Sequence, residues 1–232
     1  MFISVTFIGC TDVTSQADEI VGRWEGEIES WNGQLIRVRL EFFDNGIAIV
    51  ARPYDSPRGH AFGWEQRDDV LYMDDLAGIY IIPVEMGQPY ETIPPQPVSY
   101  EISGNFLTID WDDSEFSGTY TKQPTTPLDN QDNHPLLGTW EFPREEWQNA
   151  RGIWDTETWT LAPDSTGIAA EISEMEYRQE IRFRWMARGN QLYYIQSGMA
   201  WDVDFSIVGS QLHLSAEGEE IVLTKIAESH DS

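Results

Sequence analysis

Two segments of the chain carry nearly the same sequence, and this repeat constrains the fold more than any other feature. Residues 22–31 read Gly-Arg-Trp-Glu-Gly-Glu-Ile-Glu-Ser-Trp, and residues 138–147 read Gly-Thr-Trp-Glu-Phe-Pro-Arg-Glu-Glu-Trp. The two segments align without a gap, and the glycine, both tryptophans and two glutamates coincide. Because each segment stands at the head of a long stretch of chain, the pattern indicates an internal duplication.

The repeat continues along both halves at a nearly constant spacing. Three landmark pairs are 121 residues apart: Gly46 and Gly167 (167 − 46), Trp64 and Trp185 (185 − 64), and Leu71 and Leu192 (192 − 71). Near the end of each half, the spacing falls to 105 for Leu107 and Leu212 (212 − 107) and to 103 for Lys122 and Lys225 (225 − 122). The drop of 16 residues (121 − 105) predicts an insertion in the first half, within the proline-rich residues 74–97.

Both halves consist of short segments with the pattern of β-strands. Residues 35–43 alternate apolar and charged side chains, with Ile36, Val38, Leu40 and Phe42 against Arg37, Arg39 and Glu41. This period-2 alternation predicts a strand with one buried face and one face toward solvent. Asn32-Gly33 before the segment and Asp44-Asn45-Gly46 after it are typical of turns.

Each half has about eight such segments and no stretch with a helical period, which is the pattern of an antiparallel barrel or sandwich. A closed barrel leaves no exposed strand edge. We therefore expect an all-β chain that folds into two tandem antiparallel up-and-down β-barrels with little helix. The barrels are expected at residues 20–123 and 136–228. Residues 124–135, rich in Pro, Asn and Asp, are expected to link them.

The charge of the chain excludes some classes of partner. It has 40 acidic and 14 basic residues, so its net charge is −26. Such a surface repels the phosphates of nucleic acids and the head groups of anionic lipids. The same charge keeps a protein soluble, and an acidic face could also meet a protein partner.

Residues 1–19 precede the first expected barrel and hold the only cysteine, Cys10. The apolar run that ends in Phe7-Ile8-Gly9-Cys10 resembles a bacterial lipobox, where a signal peptidase cuts before a cysteine that carries lipid. The resemblance implies a signal remnant, a polar tether and a place in the bacterial cell envelope. The alternative is an ordinary apolar strand with a chance cysteine. No segment approaches the ~20 apolar residues of a membrane span, so we expect membrane attachment only through lipid.

The Gly-x-Trp motif at the head of each half is similar to that of the lipocalin and calycin superfamily, and closest to small tandem bacterial lipocalin-like domains. In that family the tryptophan closes one end of the barrel, and a basic side chain near the last strand packs across its ring. The resemblance gives this role to two sets of residues: Gly22, Trp24 and Lys122, and Gly138, Trp140 and Lys225. Both lysines of the chain stand in Thr-Lys pairs.

The sequence contains no catalytic or metal-binding pattern that we adopt. His60, His134, His213 and His230 lack the spacing of zinc ligands, and residues 110–115 lack the pattern of a calcium-binding EF-hand loop. Two glutamate pairs recur, Glu25 with Glu29 and Glu141 with Glu145, but Glu25 should point to the face opposite Trp24, out of the barrel. We expect no catalytic residue, no metal and no cofactor.

Several side chains are candidates for ligand binding. Trp31 and Trp147, together with Trp111, Trp154 and Trp201, could line a cavity mouth or stack on a sugar, and Arg182 and Arg184 form part of a basic cluster. We expect a non-catalytic envelope protein that binds a small apolar or saccharide ligand or serves structurally. The alternatives are an envelope enzyme that acts on saccharide through acidic residues in a barrel mouth, and an acidic scaffold for an unknown protein partner.

Overall fold

The structure is a computed structural model that describes residues 19–30, 32–52, 58–67, 70–76, 94–111, 116–143, 154–173, 178–216 and 218–226. Its strands follow the order of the chain: β1 (Gly22–Glu29), β2 (Leu35–Phe42), β3 (Ile47–Ala51), β4 (Arg58–Arg67), β5 (Val70–Asp75), β6 (Gln96–Ser103), β7 (Phe106–Asp110), β8 (Gly118–Gln123), β9 (Gly138–Glu141), β10 (Trp154–Leu161), β11 (Thr166–Ser173), β12 (Arg178–Arg188), β13 (Gln191–Gln196), β14 (Met199–Val208), β15 (Gln211–Ala216) and β16 (Glu219–Lys225).

Strands β1–β8, which we call the first half, form a closed antiparallel barrel. Each strand pairs with the next one along the chain, and β8 closes the ring by pairing with β1, where Trp24 lies opposite Lys122. The predicted all-β architecture is confirmed at this level, as one eight-stranded barrel followed by eight more strands. Most of the predicted insertion, residues 77–93, lies outside the described residues.

Strands β9–β16, which we call the second half, are also antiparallel. Each strand pairs with the next one along the chain, and β16 pairs with β9, where Lys225 lies opposite Trp140. Each half has its own buried cluster of apolar side chains on one face of its strands, which we call the inner face. Alternating side chains explain both clusters, because every second residue of a strand points to the same side.

Hydrogen bonds show which residues of the two halves are equivalent. Trp64 Nε1 donates to the carbonyls of Phe43 and Ile47, whereas Trp185 Nε1 donates to those of Ala162 and Thr166. The offset is therefore 119 residues through β2 and β3 (162 − 43 and 166 − 47), and 121 at the tryptophans.

The turn that precedes β11 corrects one predicted landmark. With an offset of 119, Ser165 stands where the first half has Gly46, and both have a positive φ, 64° and 79°. The predicted match of Gly46 with Gly167 is wrong. Gly167 has a different constraint, because a Cβ there would lie 2.3 Å from the ring of Phe183.

The face of β2 that was predicted to meet solvent is exposed at Arg37, but the expectation is wrong for Arg39 and Glu41, which are buried. Arg39 is 8% exposed and Glu41 is 0% exposed. The second half packs over this side of the first half. A third apolar cluster joins the two halves, with Phe43, Ile47, Ile49, Ala51 and Ala61 from the first and Met186, Tyr193, Ile195 and Ala200 from the second.

Glu41 is the centre of a charged cluster between the halves. Its carboxylate accepts hydrogen bonds from Arg188, from Arg23 at 3.3 Å and from the Tyr193 hydroxyl at 3.2 Å. Arg39 also lies 3.9 Å from the carboxylate. Burial, followed by the charge of Glu41, raises the pKa of Tyr193 to about 12, so its phenol remains a neutral donor at physiological pH. Residues from both halves are therefore needed to satisfy this one buried carboxylate.

The backbone also connects the two halves. The start of β14 pairs with the start of β4, with Met199 opposite His60 and Trp201 opposite Arg58. The segment at residues 124–137 has no strand, yet it contacts β12. The Asp129 amide donates to the Ala187 carbonyl of that strand at 2.9 Å. In the same segment His134 is 8% exposed, and desolvation lowers its pKa despite the nearby Asp129 carboxylate.

We expect the full chain to unfold in a single transition that depends on Arg188. Removing one partner of a buried ion pair costs on the order of 3 kcal/mol, because the remaining charge stays desolvated. Arg188→Met should therefore lower the free energy of unfolding by about that amount in a urea titration followed by circular dichroism.

Arg182→Met is the matched control, because Arg182 is exposed on the same face of the same strand. The control should change stability by less than about 0.5 kcal/mol. Equal stabilities for the two variants would contradict the role of Arg188. Two separate unfolding transitions in the parent chain would show that the contacts between the halves do not join them into one folding unit.

Candidate functional site

Five aromatic rings form a continuous group on the inner face of the second half. We call this the aromatic group; its members are Phe142, Trp159, Phe183, Tyr194 and Trp201. The rings of Trp159 and Tyr194 are stacked, with centroids 5.0 Å apart and an interplanar angle of 6°. Phe142 and Phe183 contact Trp159 at 5.3 Å and 5.4 Å, and Trp201 contacts Tyr194 at 5.2 Å.

The members of this group differ in burial. Phe142 and Phe183 are buried, whereas Trp159, Tyr194 and Trp201 are only half-buried. Tryptophan and tyrosine side chains are often incompletely buried even in cores, so the feature to note is that three such rings are adjacent. Three adjacent rings with accessible surface are a feature that a ligand can use.

Polar side chains lie next to the aromatic rings. We call Glu171, Gln179 and Gln196 the polar rim. The Gln179 amide donates to the Glu171 carboxylate at 3.2 Å, and the Tyr194 hydroxyl donates to the Gln196 side-chain oxygen. Burial raises the pKa of Tyr194, and the negative charge of Glu171 raises it further.

Strand geometry places the polar rim on the same face as the rings. Glu171 is two residues from the buried Ala169, Gln179 is two from Ile181, and Gln196 is two from Tyr194; the three reference residues belong to the inner cluster. Side chains two apart on a strand share a face. The inner face of the second half thus combines the rings of the aromatic group with one carboxylate and two amides.

Strand β14 changes its pairing partner beside the aromatic group. From Asp204 to Val208, β14 pairs with β15, but from Met199 to Trp201 it pairs with β4 of the first half. Along its first residues β14 therefore has β13 on one side and a strand of the other half on the other side. Trp201 lies in this part of the strand, where β14 has left β15.

The first half has a different interior at the matching positions. Leu40 stands where the second half has Trp159 (159 − 40 = 119), and Met73 stands where it has Tyr194 (194 − 73 = 121). Both line a cavity of about 10 Å³ with only apolar walls, formed by Leu40, Phe42, Val50, Leu71, Met73, Val98, Ile109, Trp111 and Phe116. This volume is at the lower limit for a single water molecule. At this place the first half is packed rather than hollow.

Each lysine lies across a tryptophan ring at one end of its half. Lys122 Nζ is 4.9 Å from the ring centroid of Trp24, and Lys225 Nζ is 5.1 Å from that of Trp140. Both indoles are fully buried and donate to a backbone carbonyl, Trp24 to Ile20 at 2.8 Å and Trp140 to Leu136 at 2.7 Å.

The glycine of each Gly-x-Trp motif makes room for the lysine. Gly22 and Gly138 have φ values of 134° and 111°, which other residues rarely adopt. A Cβ at these positions would lie 3.3 Å and 3.1 Å from the lysine Cε. The structure thus brings together each set of residues to which the resemblance gave the barrel-closing role.

The structure also locates the acidic and histidine candidates. Glu25 forms an ion pair with Arg37, Glu29 and Glu141 are exposed, and Glu145 lies outside the described residues. His213 pairs with Glu220 at 2.9 Å on the surface. Among the described residues, no three or more His, Cys, Asp or Glu side chains gather closely enough to hold a metal ion.

The candidates for ligand and lipid binding fall in different places. Cys10, Trp31 and Trp147 lie outside the described residues, and so does the side chain of Trp154. Arg182 and Arg184 are exposed on the outer face of β12, away from the aromatic group. Trp111 lines the small cavity of the first half, and Trp201 belongs to the aromatic group.

Sequence reasoning missed most of this group, although signals were present. Glu171 interrupts the apolar run at residues 168–172, and Gln191-Leu-Tyr-Tyr-Ile-Gln196 places two tyrosines between glutamines. Comparing the halves position by position would have shown large aromatic residues where the first half has Leu40 and Met73. The required offset of 119 was not visible, because Gly167 suggested 121.

Neither the known protein families nor the curated proteins compared with this chain give a match. Among the described residues, the structure contains no helix with the length and apolar character needed to cross a membrane.

The lysine–tryptophan pairs lead to a prediction about stability. Lys225→Met should lower the free energy of unfolding by about 0.5–2 kcal/mol, the value of a cation–π contact. Lys122→Met should lower the free energy of unfolding further than Lys225→Met does, because Lys122 Nζ also donates to the Glu19 carbonyl at 2.8 Å. Urea unfolding of both variants tests this order. Lys225→Arg, which keeps a cation over Trp140, is the control, and equal stabilities of all three variants and the parent would refute the contact.

Proposed function

We propose that this chain is a non-catalytic protein of the bacterial cell envelope that binds a small apolar or saccharide ligand. In this proposal it consists of two tandem lipocalin-like barrels, at residues 20–123 and 136–228, held at the membrane by lipid on Cys10. The second barrel holds the ligand at the aromatic group. The first barrel is a packed partner that supports it.

The half-buried stack of Trp159 and Tyr194 is the observation that carries the proposal. Ligand sites in proteins are mostly apolar and aromatic, with a few polar groups that fix orientation. The aromatic group and the polar rim have this composition, and they lie on the inner face of a β-sheet, where small barrels that bind ligands hold them. In the first half, Leu40 and Met73 stand at the matching positions and line a small apolar cavity.

The tandem arrangement rests on the repeated closure of the two halves. In each half, the first strand pairs with the last, and a lysine of the last strand covers a tryptophan of the first. The Gly-x-Trp resemblance supplies the lipocalin-like assignment. The apolar run that ends at Cys10 resembles a lipobox, and this resemblance supports the proposed lipid anchor.

The contacts of Glu171 weigh against the enzyme alternative. Hydrolysis of a glycosidic bond ordinarily uses two carboxyl groups about 5–10 Å apart. Among the described contacts, Glu171 bonds to the amide of Gln179 rather than facing a second carboxyl group. The scaffold alternative draws on the acidic surface and on the packed first half, and it predicts that no small ligand binds.

A fluorescence titration separates these possibilities. Tryptophan emission of the full chain should change saturably with a ligand from a panel of fatty acids and glycans, with Ca²⁺ tested in parallel. The double variant Trp159→Leu with Tyr194→Met installs the side chains of the first half and should abolish the response. Trp111→Leu, which alters the first half only, should leave affinity unchanged. A parent chain that responds to no member of the panel would favour the scaffold.

The lipid anchor has its own test. Protein isolated from a bacterial membrane fraction should begin at Cys10 and carry the mass of attached lipid when measured intact. Cys10→Ser should move the protein to the soluble fraction, because the variant cannot carry the lipid and its acidic surface is repelled by anionic head groups. An uncut and unmodified N-terminus in the parent protein would end this part of the proposal.

A further inference from the structure

The polar rim narrows the class of ligand that the aromatic group accepts, if the proposed function holds. Glu171 is half-buried, and among the described contacts its carboxylate accepts one hydrogen bond, from Gln179, and forms no ion pair. A carboxylate has about four acceptor positions, and buried polar groups usually find partners. The remaining positions are available to hydroxyl groups of a ligand.

The two glutamines add further polar capacity beside the rings. Gln179 uses its amide N–H toward Glu171, which leaves its side-chain oxygen as an acceptor. Gln196 uses its oxygen toward Tyr194, which leaves its two N–H donors. The rim therefore offers donors and acceptors together, beside apolar ring surface. A sugar ring has the complementary arrangement, with an apolar C–H face and a belt of hydroxyls that both donate and accept.

An acyl chain is a poor fit to the same surface. It would cover Glu171 and both amides without supplying hydrogen bonds, which leaves polar groups desolvated and unpaired. The carboxylate of a fatty acid would also be repelled by Glu171.

A quaternary ammonium ligand fits the charge of Glu171 but not the ring geometry. Sites for such cations surround them with several ring faces. Trp159 and Tyr194 instead stack on each other with an interplanar angle of 6°, so the faces that they turn to each other are occupied and do not surround a cation. The cation would also leave the amides of Gln179 and Gln196 without partners.

We infer that the ligand of the second half is a neutral saccharide, with a sugar ring on the half-buried aromatic surface of Trp159, Tyr194 and Trp201 and its hydroxyl groups on Glu171, Gln179 and Gln196. This inference rests on the proposed function. In this inference, the aromatic rings make the apolar contacts with the sugar, and the polar rim determines which ligand binds.

The test uses the full chain and three probes measured by calorimetry. The probes are neutral tetrasaccharides of glucose, mannose and N-acetylglucosamine, then laurate, then choline. At least one tetrasaccharide should bind, and laurate and choline should not. Glu171→Gln should weaken saccharide binding about tenfold to a hundredfold, the range expected for loss of a hydrogen bond to a charged group.

Two controls keep the result interpretable. Glu141→Gln removes an exposed carboxylate from β9 and should leave saccharide affinity unchanged. The unfolding midpoint of Glu171→Gln in urea should match that of the parent, so that lost binding reflects the site and not the fold. If the midpoint of Glu171→Gln falls, the calorimetric titration is carried out instead with Gln196→Leu, which alters the other side of the polar rim.

The outcomes separate the two levels of the proposal. Binding of laurate or choline without any tetrasaccharide would overturn the saccharide assignment and leave a small-ligand function standing. Tetrasaccharide binding that Glu171→Gln and Gln196→Leu leave unchanged would also overturn it, because the rim would then play no part. Failure of all three probes would overturn both the assignment and the proposed function.

Discussion

The burial of one carboxylate determines how the two halves are joined. Glu41 has no exposed surface, and its partners come from both halves: Arg23 and Arg39 from the first, Arg188 and Tyr193 from the second. On a separated first half, the outer face of β2 would leave this carboxylate in water. Docking removes that water, so a misplaced second half would bury the carboxylate without the hydrogen bonds of Arg188 and Tyr193, which is costly. The cluster therefore specifies the arrangement, while the apolar contacts around Phe43 and Ile49 supply the hydrophobic stabilisation.

The two copies of the repeat retain one framework and differ on both faces of their strands. The lysine over a buried tryptophan, the close glycine and the indole hydrogen bond recur nearly unchanged. On the outer faces, β3 is apolar throughout and packs with Met186 of β12, whose Arg188 donates to Glu41 of β2. On the inner faces, Leu40 and Met73 in one half correspond to Trp159 and Tyr194 in the other. The parts that the two halves share thus maintain the fold, and the parts in which they differ form an interface and a candidate site.

Alternation within single strands predicted the strands well, because it depends only on neighbouring residues. It could not show that Arg39 and Glu41 are buried, since a charged face covered by another half has the same pattern as a charged face in water. The apolar run Ile47-Ala-Ile-Val-Ala51 did contain that information, because a strand with no polar side is covered on both sides. The site was harder to predict, since Trp159, Glu171 and Tyr194 lie on three strands and meet only through pairing in the sheet.

The interface and the candidate site depend on the same strand. Where β14 leaves β15, the backbone groups from Met199 to Trp201 would form an unpaired sheet edge, and such edges are costly or prone to aggregation. Strand β4 pairs with this stretch, so the first half supplies the backbone partners that β15 does not reach. The first half thus completes the pairing of the strand that carries Trp201, while the described ring contacts of the aromatic group come from the second half.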